Sequence, residues 1–198
     1  MATLECWFDF ASNYSYLAVM RLEAEAARAG VAVAWRPFLL GPLFQAFGWD
    51  NSPFVLQPEK GAWVFAQDMP RQCRRLGLPW QRPSRFPRSS VLPARVALLV
   101  AAEPWAGAFC RRLMAMNFAE DREIDTPEAV AEALRALGQP AEALVAQALS
   151  PTQRPRLRAQ TEAARARGLF GAPSFLVGDQ LFWGNDRLEE ALACAAAC

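Results

Sequence analysis

The sequence predicts an α/β fold whose small sheet-containing core is interrupted by a large all-helical insertion. Strand, helix and strand patterns follow one another at the amino end, helical patterns fill the middle, and a hairpin followed by a helix closes the chain. A chain of 198 residues with 53% apolar composition can bury one full core. We therefore expect a single domain over residues 1–198, with its core at about 1–40 and 166–198 and its insertion at about 41–165.

The amino-terminal elements form a crossover unit. Residues 4–10 alternate in the sequence Leu-Glu-Cys-Trp-Phe-Asp-Phe, which predicts a strand. Ser12 follows at once as a helix cap, helix formers continue from Tyr14, and Gly30 supplies the stop. A second strand is expected over residues 31–38, so the two strands are parallel and their connection is right-handed.

The insertion has helical periodicity and carries most of the fifteen prolines in its irregular stretches. Residues 91–103 are apolar on most sides and predict a buried helix. Thr126 and Pro127 open another helix as its cap and first residue. Ser150 and Gln153 predict a capping box for a further helix.

The last part of the chain returns to sheet. Residues 174–177 predict a strand, residues 178–179 a tight turn and residues 180–183 its partner strand. Asp186 and Glu189 then have the spacing of a box that caps the last helix.

Composition excludes several classes of function. The charges of the 21 basic and 20 acidic residues nearly cancel, so we expect the protein to bind neither nucleic acid nor a membrane surface. The sequence has no histidine, which removes the usual general base and excludes Ser-His and Cys-His hydrolases. The five cysteines include no Cys-x-x-Cys pair, so we expect no metal site and predict free, mostly buried thiols.

The sequence also predicts a cytoplasmic protein. Glu5 and Asp9 interrupt an amino-terminal segment that has no basic region, and the longest purely apolar run, residues 96–102, is far shorter than a membrane-spanning helix. Free thiols fit a reducing compartment.

Two short motifs carry the functional prediction. Ser-Asn-Tyr-Ser stands at residues 12–15, where the first strand gives way to the first helix, and Gly-Ala-Pro-Ser-Phe stands at residues 171–175. The pair resembles a thioredoxin-type active site, in which a Cys-x-x-Cys motif at a helix amino end faces a cis-proline loop. The predicted fold is therefore thioredoxin-like. Because Ser12 and Ser15 occupy both cysteine positions, a reactive sulfur must come from another molecule, and glutathione is the obvious source.

The position of Ser12 suits it to hold such a sulfur. A helix amino end carries about half a positive charge and several unpaired N–H groups, so it favours an anion and lowers the pKa of a thiol bound there. Without a histidine to take its proton, the Ser12 hydroxyl would donate to a thiolate rather than attack carbon. Position alone also explains Ser12 as a simple N-cap worth about 1 kcal/mol. The pairing with Ala172 and Pro173 favours the functional interpretation.

Longer segments around these motifs resemble the 2-hydroxychromene-2-carboxylate isomerases, which are relatives of the kappa-class glutathione transferases. The resemblance runs nearly end to end, through residues 8–18, 86–95, 168–177 and 181–188 and through Lys60, Asp68, Gly77 and Pro79. Two positions depart from the family pattern. Asn13 stands where proline is usual, and Ser89 stands where asparagine is common.

The resemblance implies an activity. The reaction would be the reversible interconversion of 2-hydroxychromene-2-carboxylate and trans-o-hydroxybenzylidenepyruvate, or of a related aromatic catabolite, in bacterial breakdown of naphthalene-like compounds. Glutathione would be a recycled cofactor whose thiolate adds to the conjugated carbon, so that the former double bond can rotate before the sulfur leaves. A small aromatic substrate and a homodimer are implied as partners.

The resemblance also assigns site residues. Ser12 would be catalytic and hold the glutathione sulfur, while Ala172, before a cis Pro173, would pair through its backbone with the cysteinyl part. The γ-glutamyl end would be held by the segment Asn185, Asp186 and Arg187, although Asp186 is equally well explained as a helix cap. The substrate would be bound by Phe44, Asn51, Ser52, Arg88 and Ser89.

Two alternatives stay open at this point. A kappa-like glutathione transferase would consume glutathione by conjugating it to an electrophile, whereas an isomerase would return it. A non-catalytic thioredoxin-like module would bind peptides or protein partners and need not bind glutathione. A disulfide oxidoreductase is the least favoured, because both active-site sulfurs are missing.

Overall fold

A four-stranded sheet joins the two ends of the chain. The computed structural model describes residues 2–198, and the strand order is β2-β1-β3-β4, with β1 parallel to β2 and antiparallel to β3. The elements of this core are β1 (Thr3–Phe8), α1 (Asn13–Ala29), β2 (Ala32–Pro37), β3 (Ser174–Val177), β4 (Gln180–Trp183) and α11 (Leu188–Ala196). The predicted crossover unit and hairpin are both confirmed.

Local sequence explains the limits of α1. The Ser12 hydroxyl accepts a hydrogen bond from the Ser15 N–H, which satisfies one of the free donors of the first turn. At the other end Gly30 is in the left-handed region with φ 68°, a conformation that glycine adopts without steric cost. The apolar face of α1 packs against the insertion and against α11, so the helix has little freedom to move relative to the sheet.

Helices make up the regular structure of the insertion. They are α2 (Leu40–Ala46), α3 (Pro53–Leu56), α4 (Pro58–Trp63), a π-helical segment (Val64–Asp68), α5 (Met69–Leu76), α6 (Val91–Leu99), α7 (Ala106–Phe118), α8 (Pro127–Arg135), α9 (Ala141–Leu149) and α10 (Gln153–Ala166). One continuous cluster of buried apolar side chains includes Phe8 of the sheet, Leu22 of α1, and Phe109 and Val130 of the insertion. The insertion therefore shares the hydrophobic core of the sheet.

Two expectations about the insertion need correction. The buried helix predicted over residues 91–103 ends at Leu99; the Val100 carbonyl accepts from the Glu103 N–H in a turn, and Pro104 has no N–H with which to continue the helical hydrogen bonds. The capping box predicted for Ser150 and Gln153 is wrong, because the Ser150 hydroxyl donates to the Gln147 carbonyl at 2.6 Å. The cap predicted at Thr126 is confirmed, since its hydroxyl accepts from the Ala129 N–H at 3.2 Å.

A buried polar network ties the insertion to the first strand. The Asn117 side chain on α7 donates to the Phe10 carbonyl at 2.9 Å and accepts from the Arg88 guanidinium at 2.9 Å. Arg88 also donates to the Asp121 carboxylate at 2.5 Å. Asn117 is 1% exposed, so removing its amide would leave the Phe10 carbonyl without this donor and would take one hydrogen bond from Arg88.

Replacing Asn117 with Ala is expected to lower the free energy of unfolding by about 2 kcal/mol, because it leaves a buried carbonyl and a guanidinium N–H unpaired. Urea denaturation followed by circular dichroism measures the change. Gln147→Ala is the matched control, since that exposed side chain makes no hydrogen bond within residues 2–198, and its stability should stay near that of the wild type. Equal stability of the two variants would contradict the structural role of Asn117.

Candidate active site

One cleft collects the predicted site residues. It has a volume of about 1140 Å³ and lies between the amino end of α1, the insertion, the loop before β3 and the turn after β4. Pro173 is buried and does not line the cleft. The predicted residues that do line it are Ser12, Phe44, Asn51, Ser52, Arg88, Ser89, Ala172, Asn185, Asp186 and Arg187. The structure brings these residues together, and their individual roles stay predictions.

The amino end of α1 presents donors to this cleft. Ser12 is 6% exposed, and its hydroxyl accepts from the Ser15 N–H at 3.1 Å and donates to the Ala172 carbonyl at 3.0 Å. The backbone N–H groups of Asn13 and Tyr14 find no acceptor in the described part of the chain. These free donors and the helix dipole make the point around Ser12 favourable for an anion.

The loop before β3 faces Ser12. The Ala172–Pro173 peptide bond is cis, which confirms the prediction, and a second cis bond, Phe86–Pro87, was not foreseen from the sequence. Within residues 2–198 the Ala172 carbonyl accepts only the Ser12 hydroxyl, and the Ala172 N–H has no acceptor. This residue therefore has an unused backbone donor beside the amino end of α1.

The turn after β4 forms the next part of the wall. Asn185–Arg187 is a short 3-10 turn, and it follows Gly184, whose φ of 110° is unfavourable for residues with a side chain. A Cβ atom at Gly184 would also lie 2.5 Å from Asp186 Oδ1. Asp186 does not cap α11, because its carboxylate accepts no backbone N–H of that helix, so the predicted capping box is wrong. The Glu189 carboxylate, the other member of that box, instead accepts from the Arg21 guanidinium, with 2.5 Å between Oε1 and Nη1.

The guanidinium of Arg88 is already satisfied by the protein. It donates to the Asn117 amide oxygen, the Ser84 hydroxyl and the Asp121 carboxylate, and Arg88 is 6% exposed. Arg88 therefore holds the loop that carries Ser89 in place, and its charge is balanced by Asp121.

Lys60 is a cation of the cleft wall that the sequence prediction of site residues did not include. It is the one lysine of the chain and lines the cleft, with its ammonium nitrogen 5.9 Å from the centroid of the Phe54 ring. Among the described residues no carboxylate lies within salt-bridge distance of it, whereas most arginines are paired. The signal in the sequence was its uniqueness among 21 basic residues.

Aromatic side chains surround the mouth of the cleft. Five of them are between 41% and 52% exposed, and large apolar side chains gathered in this way often mark a binding site: Phe47, Trp49, Trp63, Phe170 and Trp183. Phe44 lies among them, with its ring centroid 5.6 Å from that of Trp49. The mouth therefore offers flat apolar surfaces to a ligand with an aromatic ring.

Three further polar side chains of the wall were not foreseen from the sequence. The Asp9 carboxylate is buried, which raises its pKa, while donors from Ala11, Leu40 and Ser90 act against that rise. Tyr14 donates to Asp68 at 2.6 Å, and burial followed by this contact raises the pKa of its hydroxyl. Asn13 is 1% exposed, and its amide nitrogen has no partner within residues 2–198.

No cysteine lines the cleft in the part of the chain that the structure describes. Cys6, Cys73 and Cys110 are buried, and burial raises the pKa of each thiol, to about 11 for Cys73. Thiolate is therefore disfavoured at all three. Within residues 2–198 the structure shows no group of three or more acidic, cysteine or histidine side chains placed to hold a metal ion. It also contains no helix there that is long and apolar enough to cross a membrane.

Comparison with known proteins places this geometry in a family. A family model described as DSBA-like thioredoxin domain matches residues 3–193. A 2-hydroxychromene-2-carboxylate isomerase of Sphingobium xenophagum is 31% identical over 191 residues, which cover 94% of each chain. This chain belongs to the 2-hydroxychromene-2-carboxylate isomerase family. The predicted thioredoxin-like fold with its helical insertion is thereby confirmed.

Solved structures agree with that assignment. A 2-hydroxychromene-2-carboxylate isomerase superposes with a TM-score of 0.85 at 26% identity, covering 98% of this chain and 95% of the other. The cytosolic disulfide reductase DsbM from Pseudomonas aeruginosa, solved with GSH, superposes with a TM-score of 0.67 at 16% identity, covering 98% and 96%. The second likeness shows the fold alone. The relatives that match along nearly their whole length are named as isomerases, which supports an isomerase activity for this chain.

The amino end of α1 is expected to stabilise a thiolate even when the sulfur belongs to the protein. In a background where Cys194 and Cys198 are replaced by serine, the thiol introduced by Ser12→Cys should have a pKa at least about one unit below the 8.5 of a free thiol. Thiolate absorbance at 240 nm against pH measures it. Ala166→Cys, at the exposed carboxyl end of α10, is the control without a helix amino end. Equal pKa values for the two thiols would contradict the electrostatic role of this helix end.

Proposed function

We propose that this protein is a glutathione-dependent isomerase of 2-hydroxychromene-2-carboxylate or a related aromatic acid. The observation that carries the proposal is the meeting, in one cleft without a cysteine, of the Ser12 hydroxyl, the free N–H groups of α1 and the backbone of Ala172. This arrangement favours a thiolate supplied by a ligand. The Sphingobium xenophagum relative is named for the same isomerisation.

The donors and acceptors around Ser12 fit the cysteinyl part of glutathione. The unused N–H of Ala172 would donate to a carbonyl of the tripeptide, and the Ala172 carbonyl would accept from its amide. In the structure that carbonyl accepts the Ser12 hydroxyl at 3.0 Å. If an amide N–H of the tripeptide took the place of the Ser12 hydroxyl at this carbonyl, the hydroxyl would be free to donate to the sulfur. DsbM, which shares this fold, was solved with GSH.

The turn after β4 would hold the γ-glutamyl end. Asp186 is exposed to the cleft and its carboxylate suits an ammonium group. Arg187 and the backbone N–H groups of the turn suit a carboxylate. The amide oxygen and the backbone carbonyl of Asn185 accept from Arg21, so Asn185 would contact a ligand through its amide nitrogen or its backbone N–H.

The mouth of the cleft would bind the aromatic acid. The rings of Phe44, Trp49 and Trp63 offer apolar surface, and Lys60 offers the charge for a carboxylate. Asn51 and Ser52 stand at the same mouth, where the Asn51 side chain accepts from the Ser52 N–H and the Ser52 hydroxyl caps α3. Both residues therefore fix the approach to α3 and to α4, which carries Lys60 and Trp63.

The chain supplies orientation and charge stabilisation for the reaction. Glutathione held in the cleft would supply a thiolate nucleophile, whose addition to the conjugated carbon would give a single bond free to rotate until the sulfur leaves and the double bond re-forms. Ser12 and the amino end of α1 hold the negative charge at the sulfur position. Lys60 fixes the substrate carboxylate.

The fate of glutathione separates this proposal from a kappa-like transferase. An isomerase returns the tripeptide unchanged, whereas a transferase consumes one molecule for each product. Incubation with 2-hydroxychromene-2-carboxylate and a limiting amount of glutathione, followed by chromatography, measures both. We expect many turnovers for each glutathione, and stoichiometric loss of glutathione would identify the transferase. Absence of glutathione binding by calorimetry would favour a non-catalytic binding module.

Replacing Ser12 with Ala should lower kcat by about 10- to 100-fold, which corresponds to loss of one hydrogen bond to a charged group. The expected change in the free energy of unfolding is that of a lost N-cap, about 1 kcal/mol. Steady-state kinetics at saturating glutathione measures the first effect and urea denaturation the second. Ser150→Ala removes a hydroxyl outside the cleft and should keep the wild-type rate. Unchanged kcat in Ser12→Ala would refute the role given to Ser12.

Replacing Lys60 with Gln should raise KM for the aromatic acid by about tenfold, because an ion pair in a partly enclosed site is lost. KM for glutathione should change less. The methyl ester of the substrate lacks the charge, so the same substitution should leave its KM unchanged. Arg154→Gln is the control, because it removes an exposed charge that lies outside the cleft and has no partner within residues 2–198. An equal rise in KM for acid and ester would show that Lys60 does not bind the carboxylate.

A further inference from the structure

Arg21 links the helix that carries Ser12 to the turn after β4. Its guanidinium donates to the Asn185 carbonyl at 2.7 Å and to the Asn185 amide oxygen at 3.1 Å. The same group donates to Glu25 at 2.8 Å and to Glu189 at 2.5 Å. Arg21 does not line the cleft, and only 11% of its side chain is exposed. Its contacts therefore belong to the support of the site.

These contacts fix the turn from one side. Both oxygen acceptors of Asn185 are taken by one planar guanidinium, which restrains the backbone and the side chain of that residue together. The adjacent residues Asp186 and Arg187 have exposed side chains that line the cleft and make only long contacts, at 4.0 Å with each other and at 3.5 Å from Arg187 to Glu190. The position of the turn thus depends on Arg21 more than on the residues facing the ligand.

One rigid helix therefore sets two positions in the cleft. Ser12 caps α1, and Arg21 lies nine residues further along it. At a rise of about 1.5 Å per residue, the two anchor points are about 13 Å apart along the helix axis. Because α1 packs against the insertion and α11, neither point can shift without the other.

We infer that Arg21 is a positioning residue, which holds the γ-glutamyl-binding turn at a set distance from Ser12 and so makes the site selective for γ-glutamyl thiols over shorter ones. The inference rests on the proposed function, because it assumes that glutathione spans from Ser12 to this turn. A thiol without a γ-glutamyl group reaches Ser12 and Ala172 alone, so its binding should not depend on Arg21.

The test compares glutathione with cysteinylglycine, which lacks the γ-glutamyl group. Calorimetry with the wild type and with Arg21→Gln gives Kd for both thiols. We expect the wild type to prefer glutathione and the variant to bind it about tenfold more weakly, with cysteinylglycine unchanged. Arg21→Lys keeps the charge between Glu25 and Glu189 but cannot bind both Asn185 acceptors and both carboxylates. Its affinity for glutathione should therefore lie between that of the wild type and that of Arg21→Gln. Arg28→Gln is the control on the same helix, because that exposed side chain has no partner within residues 2–198.

The possible outcomes separate this inference from the function. If Arg21→Gln binds both thiols more weakly by the same factor, or binds both as the wild type does, the positioning role is overturned. Glutathione-dependent turnover by the wild type would still support the isomerase in that case. Wild-type protein that binds neither thiol overturns both. Should Arg21→Gln fail to fold, the Arg21→Lys variant decides. If that variant prefers glutathione over cysteinylglycine as strongly as the wild type does, the inference is also contradicted.

Discussion

The cleft depends on the buried carboxylate of Asp9. One oxygen accepts from the Ala11 N–H at 2.9 Å and the Ser90 hydroxyl at 2.6 Å, and the other accepts from the Leu40 N–H at 2.7 Å. These donors come from the turn before α1, the start of α2 and the start of α6. A carboxylate 3% exposed is tolerated because each contact is a hydrogen bond to the charged form. Three segments that are distant in sequence, and that carry Ser12, Phe44 and Ser89, therefore converge on one side chain.

The elements that sequence predicts well are those determined by neighbours in the chain. The Ser12 cap, the Gly30 stop and the turn at residues 178–179 are local features, and the structure has each of them. Both capping boxes that failed also had suitable local spacing. Glu189 failed because Arg21, 168 residues away in sequence, competes for its carboxylate, and Ser150 failed because its hydroxyl has a partner in the preceding helix. Spacing gives the possible partners of a polar side chain, while tertiary contacts decide among them.

The same distinction applies to the site. Motif resemblance found residues at both ends of the cleft, because a helix amino end and a proline loop have recognisable sequences. It gave no site role to Asp9, Asn13 or Lys60, whose importance comes from burial or from the absence of a nearby carboxylate. It also gave Arg88 to the substrate, whereas the buried contacts with Asn117 and Asp121 engage that guanidinium. Charge availability is a property of the folded chain, so a sequence shows the cations and the structure shows which are paired.

The chain keeps the electrostatics of a thiolate site while its own thiols lie elsewhere. The first turn of α1 offers free N–H groups and the Ser12 hydroxyl, whereas burial raises the pKa values of Cys6, Cys73 and Cys110 away from the cleft. Serine at position 12 keeps the helix cap and adds a donor that stays protonated, because the sequence has no histidine to remove its proton. Such donors stabilise an anion without reacting with it. A sulfur held in this way can add to an activated double bond and leave again unchanged, which is the property that an isomerase requires of its nucleophile.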